Sequence, residues 1–118
     1  MKKSELQKTL SFTLDVAEEA GEVLLAHSQK LFRKPLKLIH KGAQGLASEA
    51  DLKSEALVIK RLKKAYPGHT IISEEDTFVR QLKIKGPQSS EEMIWLIDPL
   101  DGTNNFLNGL PCYCVSLA

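Results

Sequence analysis

Glu74, Asp98 and Asp101, with Glu75 beside the first, are the residues whose placement could do chemistry together. Glu74-Glu75 follow the β-branched run Thr70-Ile71-Ile72-Ser73, and Asp98 follows the apolar run Met93 to Ile97. Short runs of this kind, bounded by polar and turn residues, read as buried strands. Both would deliver carboxylates at their C-terminal ends, where open α/β sheets collect ligands. Carboxylates about 4 Å apart repel by roughly 1 to 4 kcal/mol per pair at effective dielectrics of 80 to 20. A fold that gathers them therefore needs protons or cations at that spot. Oxygen donors with no imidazole or thiolate among them suit magnesium or manganese rather than zinc.

The residues after Asp98 indicate what such cations would act on. Pro99 fixes a turn that lets the Leu100 carbonyl face the same side as the carboxylates. Gly102 permits close backbone approach, and Thr103 opens a helical turn whose free amides suit a phosphate. Carboxylates for metal beside amides for phosphate make a site for metal-assisted phosphoryl hydrolysis. Taken singly, each feature is ordinary. Glu74-Glu75-Asp76 has the composition of a solvated loop, and Asp101-Gly102 that of a hairpin turn joining Met93–Ile97 to Cys112–Ala118. Cys112 and Cys114 read as small buried hydrophobes. His27, His40 and His69 have no ligand spacing and read as surface or structural residues.

The elements that must carry these residues are marked in the pattern. Ser4 with Gln7 is a capping-box signature, and Leu6, Leu10, Leu14, Ala17, Gly21, Leu24, Ser28 and Leu31 recur at helical steps until Pro35. Lys37 to Leu46, with Gly42 and Gly45, reads as a short strand or hairpin ending in a mobile loop. A second helix is expected from Ser48, with Asp51 at the reciprocal capping position. Its apolar line is Leu52, Ala56, Ile59, Leu62 and Tyr66, with Arg61, Lys63 and Lys64 on a solvated face and Pro67-Gly68 as the stop. Thr77 to Glu92 is expected to be an exposed loop, and Cys112 to Ala118 a third strand.

Composition sets the frame. A chain of 118 residues forms one domain at most, and 42% hydrophobic with 26% charged residues is ordinary for a soluble globular protein. A net charge of +1 gives no electrostatic case for nucleic acid or an acidic membrane surface. The apolar run Met93–Ile97 falls far short of the roughly 20 residues that span a bilayer. Two cysteines flanking one residue make no disulfide framework, so a reducing cytoplasm is expected.

The ordinary readings fail jointly at one place. Trp95-Leu96-Ile97-Asp98-Pro99-Leu100-Asp101-Gly102-Thr103-Asn104-Asn105-Phe106 resembles the central signature of the inositol monophosphatase family. Asp98, Pro99, Asp101, Gly102, Thr103, Asn105 and Phe106 match its most specific part. At roughly 5% per residue type, seven such matches by chance are on the order of one in 10⁹. Ile72-Ser73-Glu74-Glu75 is similar to the family's second acidic motif, and Lys41-Gly42 through Leu46 to Asp51 to its mobile loop and following aspartate.

The resemblance implies an α+β fold: the N-terminal portion of the layered α/β sandwich of the inositol monophosphatase and fructose-1,6-bisphosphatase type, with residues 1–118 as part of one phosphatase domain. It implies magnesium, with manganese a possible substitute, and a small phosphorylated metabolite as substrate, inositol 1-phosphate first. Glu74 would bind the first metal and, with Thr103, orient the attacking water. Asp98 would bridge two metals, the Leu100 carbonyl would complete the first site, and Asp101 would serve the second. The Gly102 and Thr103 amides would hold phosphate, Asp51 would sharpen the basicity of Thr103, and Glu75 would support the ligands from behind. A homodimer in the full-length form, lithium sensitivity and no nucleic-acid or membrane partner are likewise implied.

The sequence departs from the family at Gly45, usually acidic, at Ala47-Ser48, usually Val-Thr, and at Asn104, usually threonine. A further metal-binding aspartate in a Trp-Asp-x-Ala-type motif is not among these residues, so the 118-residue chain by itself is expected to be inactive and poorly stable as a monomer. Two alternatives stand beside the main reading. One is a nucleotidase acting on adenosine 3′,5′-bisphosphate, which Ser73-Glu74-Glu75-Asp76 fits but Asn104-Asn105 does not. The other is a truncated, non-catalytic relative.

Overall fold

The first helix starts where Glu5 reaches back to the Lys2 amide at 3.0 Å, an acid at the third helical position satisfying the amide of the capping residue. It thus begins two residues before the Ser4–Gln7 pair would place it, because a carboxylate holds an amide more strongly than a neutral side chain does. The computed structural model describes the backbone of residues 2–32, 36–73 and 93–118, with side chains described outside 31–48. Helix α1 spans Lys3–Phe32 and α2 spans Leu36–Ala65.

The helical backbone of α2 overturns the strand or hairpin expected over Lys37–Leu46, the start at Ser48 and the capping role of Asp51. Leu, Lys, Ala and Gln dominate that stretch and lose little rotamer freedom in a helix, while each interior glycine costs only about 1 kcal/mol. A strand there would need a paired neighbour, and the sheet among the described residues is built from other segments. Pro35 and the loop expected over Thr77–Glu92 lie outside the described residues.

Three strands follow: β1 (Thr70–Ser73), β2 (Ile94–Asp101) and, after the short helix α3 (Thr103–Leu107), β3 (Cys114–Leu117). The sheet order is β1-β2-β3, with β2 parallel to β1 and antiparallel to β3. Ser73 sits across from Ile97, so the last described residue of β1 lies beside the residue that precedes Asp98. Strand β2 runs on to Asp101 instead of stopping at Asp98, and β3 begins at Cys114 rather than Cys112. Cys112 and Cys114 are both free and exposed, not buried, since they sit at the edge strand and the loop leading into it.

Both helices pack on one face of the sheet. Val16 and Ala20 of α1, Val58 and Leu62 of α2, and Trp95 and Ile97 of β2 form one buried cluster. On the opposite face of β2, Ile94 and Leu96 are exposed. The α1 face that is buried is centred on Val16, Ala20, Leu24 and His27; Leu24 and Ser28 of the expected line are buried, whereas Leu6, Leu10 and Leu14 are each more than half exposed. At 100° per residue the buried stripe is rotated by roughly 70° from the expected leucine line. Helix α2 is turned in the same sense: Asp51, Ser54, Glu55 and Val58 are buried and Leu52 is exposed. Periodicity finds the most apolar face of a helix; contact with the sheet and the partner helix selects the one that is buried.

Several polar residues serve this packing. Trp95 Nε1 donates to His69 Nδ1 at 3.0 Å, and His69 stacks on Tyr66 with ring centroids 4.8 Å apart. His27 is buried, its Nδ1 2.8 Å from the Val23 carbonyl oxygen. Both histidines are therefore structural, as their lack of ligand spacing suggests. Lys63 and Lys64 are exposed as expected, and Arg61, still partly solvated, donates to Glu19 of α1 at 3.3 Å and lies over the Phe12 ring. Among the described residues no helix is long and apolar enough to cross a membrane.

Candidate metal and phosphate site

Asp98 and Asp101 are three residues apart, a spacing that sends side chains to opposite faces of a regular strand. The structure removes that conflict. Asp98 pairs with Ser116 and Asp101 with Cys114, so two β2 residues, Pro99 and Leu100, oppose Val115 alone. This is a β-bulge, and proline tolerates it because its missing amide falls where the ladder is interrupted. Pro99 and Leu100 are both buried, while Asp98 is partly exposed and Asp101 exposed. The extra residue thus returns the two carboxylates to the accessible side of the sheet.

The bulge is packed from behind. Leu100 joins Leu24, Ala50 and Phe106 in a second buried cluster, with Phe106 edge-on to Tyr113 at 5.0 Å between centroids. Behind Asp101, Gly102 has φ +91° and caps α3 through its carbonyl, which accepts the Phe106 amide at 3.0 Å. A Cβ at Gly102 would stand 2.8 Å from the Cys112 carbonyl oxygen, so both the backbone angle and the space require glycine. The Thr103 hydroxyl donates to the Leu100 carbonyl at 3.4 Å, and Asn105 Nδ2 donates to the Cys112 carbonyl at 2.9 Å, tying α3 to the approach of β3. Asp51 is buried on α2, next to Ala50 of the cluster that holds Leu100.

Of the residues expected to form a site, Asp51, Asp98, Leu100, Asp101, Gly102 and Thr103 are described, and the last five lie on one continuous turn of chain. Glu74 and Glu75 lie outside the described residues. Among the described residues no three His, Cys, Asp or Glu side chains converge closely enough to hold a metal ion. The donors present nevertheless have the right chemistry: two carboxylates on one side of a bulged strand, with a backbone carbonyl between them, are oxygen ligands for a hard divalent cation.

Sequence pattern alone missed three polar residues near this site. Ser54, Glu55 and Ser73 are buried; Ser54 Oγ donates to the Pro99 carbonyl at 2.9 Å, and Ser73 Oγ donates to Glu55 Oε2 at 2.9 Å. The available signal was the spacing of Asp51, Ser54 and Glu55, which continues the buried line of Val58 and Leu62 by helical steps.

Asp101, Gly102, Asn105, Cys112, Tyr113 and Cys114 line an open cleft. Partial burial first, then the charges of Asp101 and Asp98, push the Cys114 thiol above the ordinary thiol range. A protonated thiol is a poor ligand, which leaves the cleft to oxygen donors. Asp101→Asn removes one of the charges that oppose the thiolate, so the Cys114 pKa should fall. Alkylation of Cys114 by iodoacetamide at neutral pH should then quicken by about twofold, the size expected for one screened charge. An unchanged rate, followed by peptide mass spectrometry, would show that the carboxylate does not face the thiol.

Comparison with known proteins agrees with the strand-end signature. Residues 5–118 match the inositol monophosphatase family. The chain belongs to that family. It is 40% identical over 109 residues to "Nus factor SuhB" of Xylella fastidiosa, covering 92% of this chain and 36% of that protein. It is 37% identical over 112 residues to "Inositol monophosphatase" of Mesembryanthemum crystallinum, covering 95% of this chain and 38% of that one. The solved structure of inositol monophosphatase from Anabaena superposes with a TM-score of 0.64 at 32% identity, over 96% of this chain and 35% of that one. The chain thus spans well under half the length of these relatives, and its helices and mixed sheet are the N-terminal portion of the family fold.

Proposed function

We propose that these residues are the N-terminal part of a single phosphatase domain that hydrolyses a small phosphate monoester with magnesium, inositol 1-phosphate being the substrate. The observation that carries this reading is the bulge at Pro99-Leu100, which sets Asp98 and Asp101 on one side of β2 immediately before the Gly102 turn. Asp98, the Leu100 carbonyl and Asp101, together with Glu74, would hold magnesium, or manganese in its place. Bound there, a metal would neutralise phosphate charge and would lower the pKa of a water. Thr103 and Glu74 would orient an attacking water, Asp51 would support Thr103, and the Gly102 and Thr103 amides would hold the phosphate. Some relatives carry the name Nus factor, so the reading rests on the site rather than on what the relatives are called. A homodimer in the cytoplasm, acting on a free metabolite, goes with it.

The test is phosphate release by the phosphatase that contains these residues, with inositol 1-phosphate and adenosine 3′,5′-bisphosphate compared side by side. The inositol ester should be preferred; preference for the nucleotide would assign the alternative branch, and no turnover of either would favour a non-catalytic relative. Thr103→Ala should lower kcat about 100-fold, the usual size for loss of a group that manages a proton in the transition state. KM should change little, because the backbone amide survives the substitution. A raised KM with unchanged kcat would mean that Thr103 contributes only uniform binding.

A further inference from the structure

Adjacent residues of α2 reach to two different strand ends. Ser54, fully buried, donates to the carbonyl of Pro99 in β2, and Glu55, 8% exposed, accepts the hydroxyl of fully buried Ser73 at the end of β1; both distances are 2.9 Å. The Pro99 carbonyl lies inside the bulge, where the ladder to β3 slips by one residue. A buried carbonyl at an interrupted ladder needs a donor from elsewhere, and Ser54 supplies it. Holding that carbonyl fixes the peptide plane that leads into Leu100, whose side chain is itself anchored in the core and whose own carbonyl is left toward Thr103 at 3.4 Å.

We infer that Ser54 and Glu55 are positioning residues: a two-pronged clamp by which α2 fixes the ends of β1 and β2 relative to each other and aims the Leu100 carbonyl. This rests on the phosphatase reading insofar as the aimed groups are metal ligands. The clamp itself is a matter of geometry. Among the described residues β1 and β2 are paired from Thr70↔Ile94 to Ser73↔Ile97, and the two hydrogen bonds from α2 fall on Ser73 of the last pair and on Pro99, two residues past Ile97. The hydrogen bonds to a common helix add to that pairing a second constraint on how the two strands sit relative to each other. Both prongs come from consecutive residues of one rigid element, so one strand end cannot shift against the other without breaking a buried hydrogen bond.

The experiment uses the 118-residue chain, with Ser54→Ala and Ser73→Ala as the two prongs and exposed Lys60→Ala as control. Hydrogen exchange read by mass spectrometry should rise about tenfold over residues 98–104 in S54A and over 70–73 in S73A, the size expected for one buried hydrogen bond lost. Exchange in α1 and the far-UV circular dichroism should stay as in wild type. Mn²⁺ affinity, measured by electron paramagnetic resonance, should fall about tenfold in both variants and not in K60A. Unchanged local exchange in folded variants overturns the clamp. Loss of the helical signal in both also overturns it, because the contacts would then hold the fold rather than aim the strand ends. If the wild-type chain binds no Mn²⁺, the metal reading fails for this chain while the exchange results still decide the clamp.

Discussion

Asp98→Asn is expected to weaken Mn²⁺ binding by about thirtyfold, whereas Glu22→Gln, which removes an equal charge from the exposed face of α1, leaves it unchanged. The size follows from Coulomb's law: one negative charge about 4 Å from a divalent ion contributes about 2 kcal/mol even at a dielectric of 80, and every 1.4 kcal/mol is about tenfold. The substitution keeps the shape of the side chain, and Asp98 is only partly buried, so the fold should tolerate it. Asp101→Asn should act in the same direction, since the bulge places both on the accessible side of β2. Equal affinities for D98N and E22Q in an electron paramagnetic resonance titration would remove these carboxylates from any metal site.

Gly102→Ala is expected to lower the stability of the chain by about 2 to 4 kcal/mol. A side chain at φ +91° carries the left-handed penalty of roughly 1 to 2 kcal/mol. The new methyl also meets the Cys112 carbonyl oxygen at 2.8 Å, a backbone atom that cannot swing aside as a flexible side chain can. Relief requires moving either the start of α3 or the segment before β3, and Phe106 and Tyr113 pack against each other across that gap. Urea unfolding followed by circular dichroism should show the midpoint fall without a change in slope. A midpoint equal to wild type would mean that the turn relaxes freely and does not hold Thr103 in place.

Local chemistry makes some features legible in the sequence itself. The first helix, the part of α2 after Ser48, the strands at Thr70 and Ile94, and the turn at Gly102 follow from propensity and from residues such as Pro67 and Gly102 that permit few conformations, whereas the helical stretch before Ser48 does not. The spacing of Asp98, Gly102 and Thr103 is enough to point to phosphate and metal, because those residues act within a single turn of chain. Cys112 and Cys114 read as buried but are exposed, because no local pattern marks β3 as an edge strand of the described sheet.

What the tertiary structure decided is direction. A leucine line on α1 and another on α2 are properties of isolated helices; which face turns inward depends on the partner, and here Val16 and Ala20 face the core with Leu24 of the expected line, while Leu6, Leu10 and Leu14 do not. The same holds at the site. An aspartate pair three residues apart is ambiguous in a strand of period two, and only the slip of register against β3 brings Asp98 and Asp101 to one side. Ser54, Glu55 and Ser73 are ordinary in sequence, since a polar side chain gains its role from the carbonyl or hydroxyl placed opposite it. That partner lies 45 residues away for Ser54 and 18 for Glu55. Residue type and near-neighbour spacing thus determined the chemistry on offer, and the packing of α2 against two strand ends determined where it points.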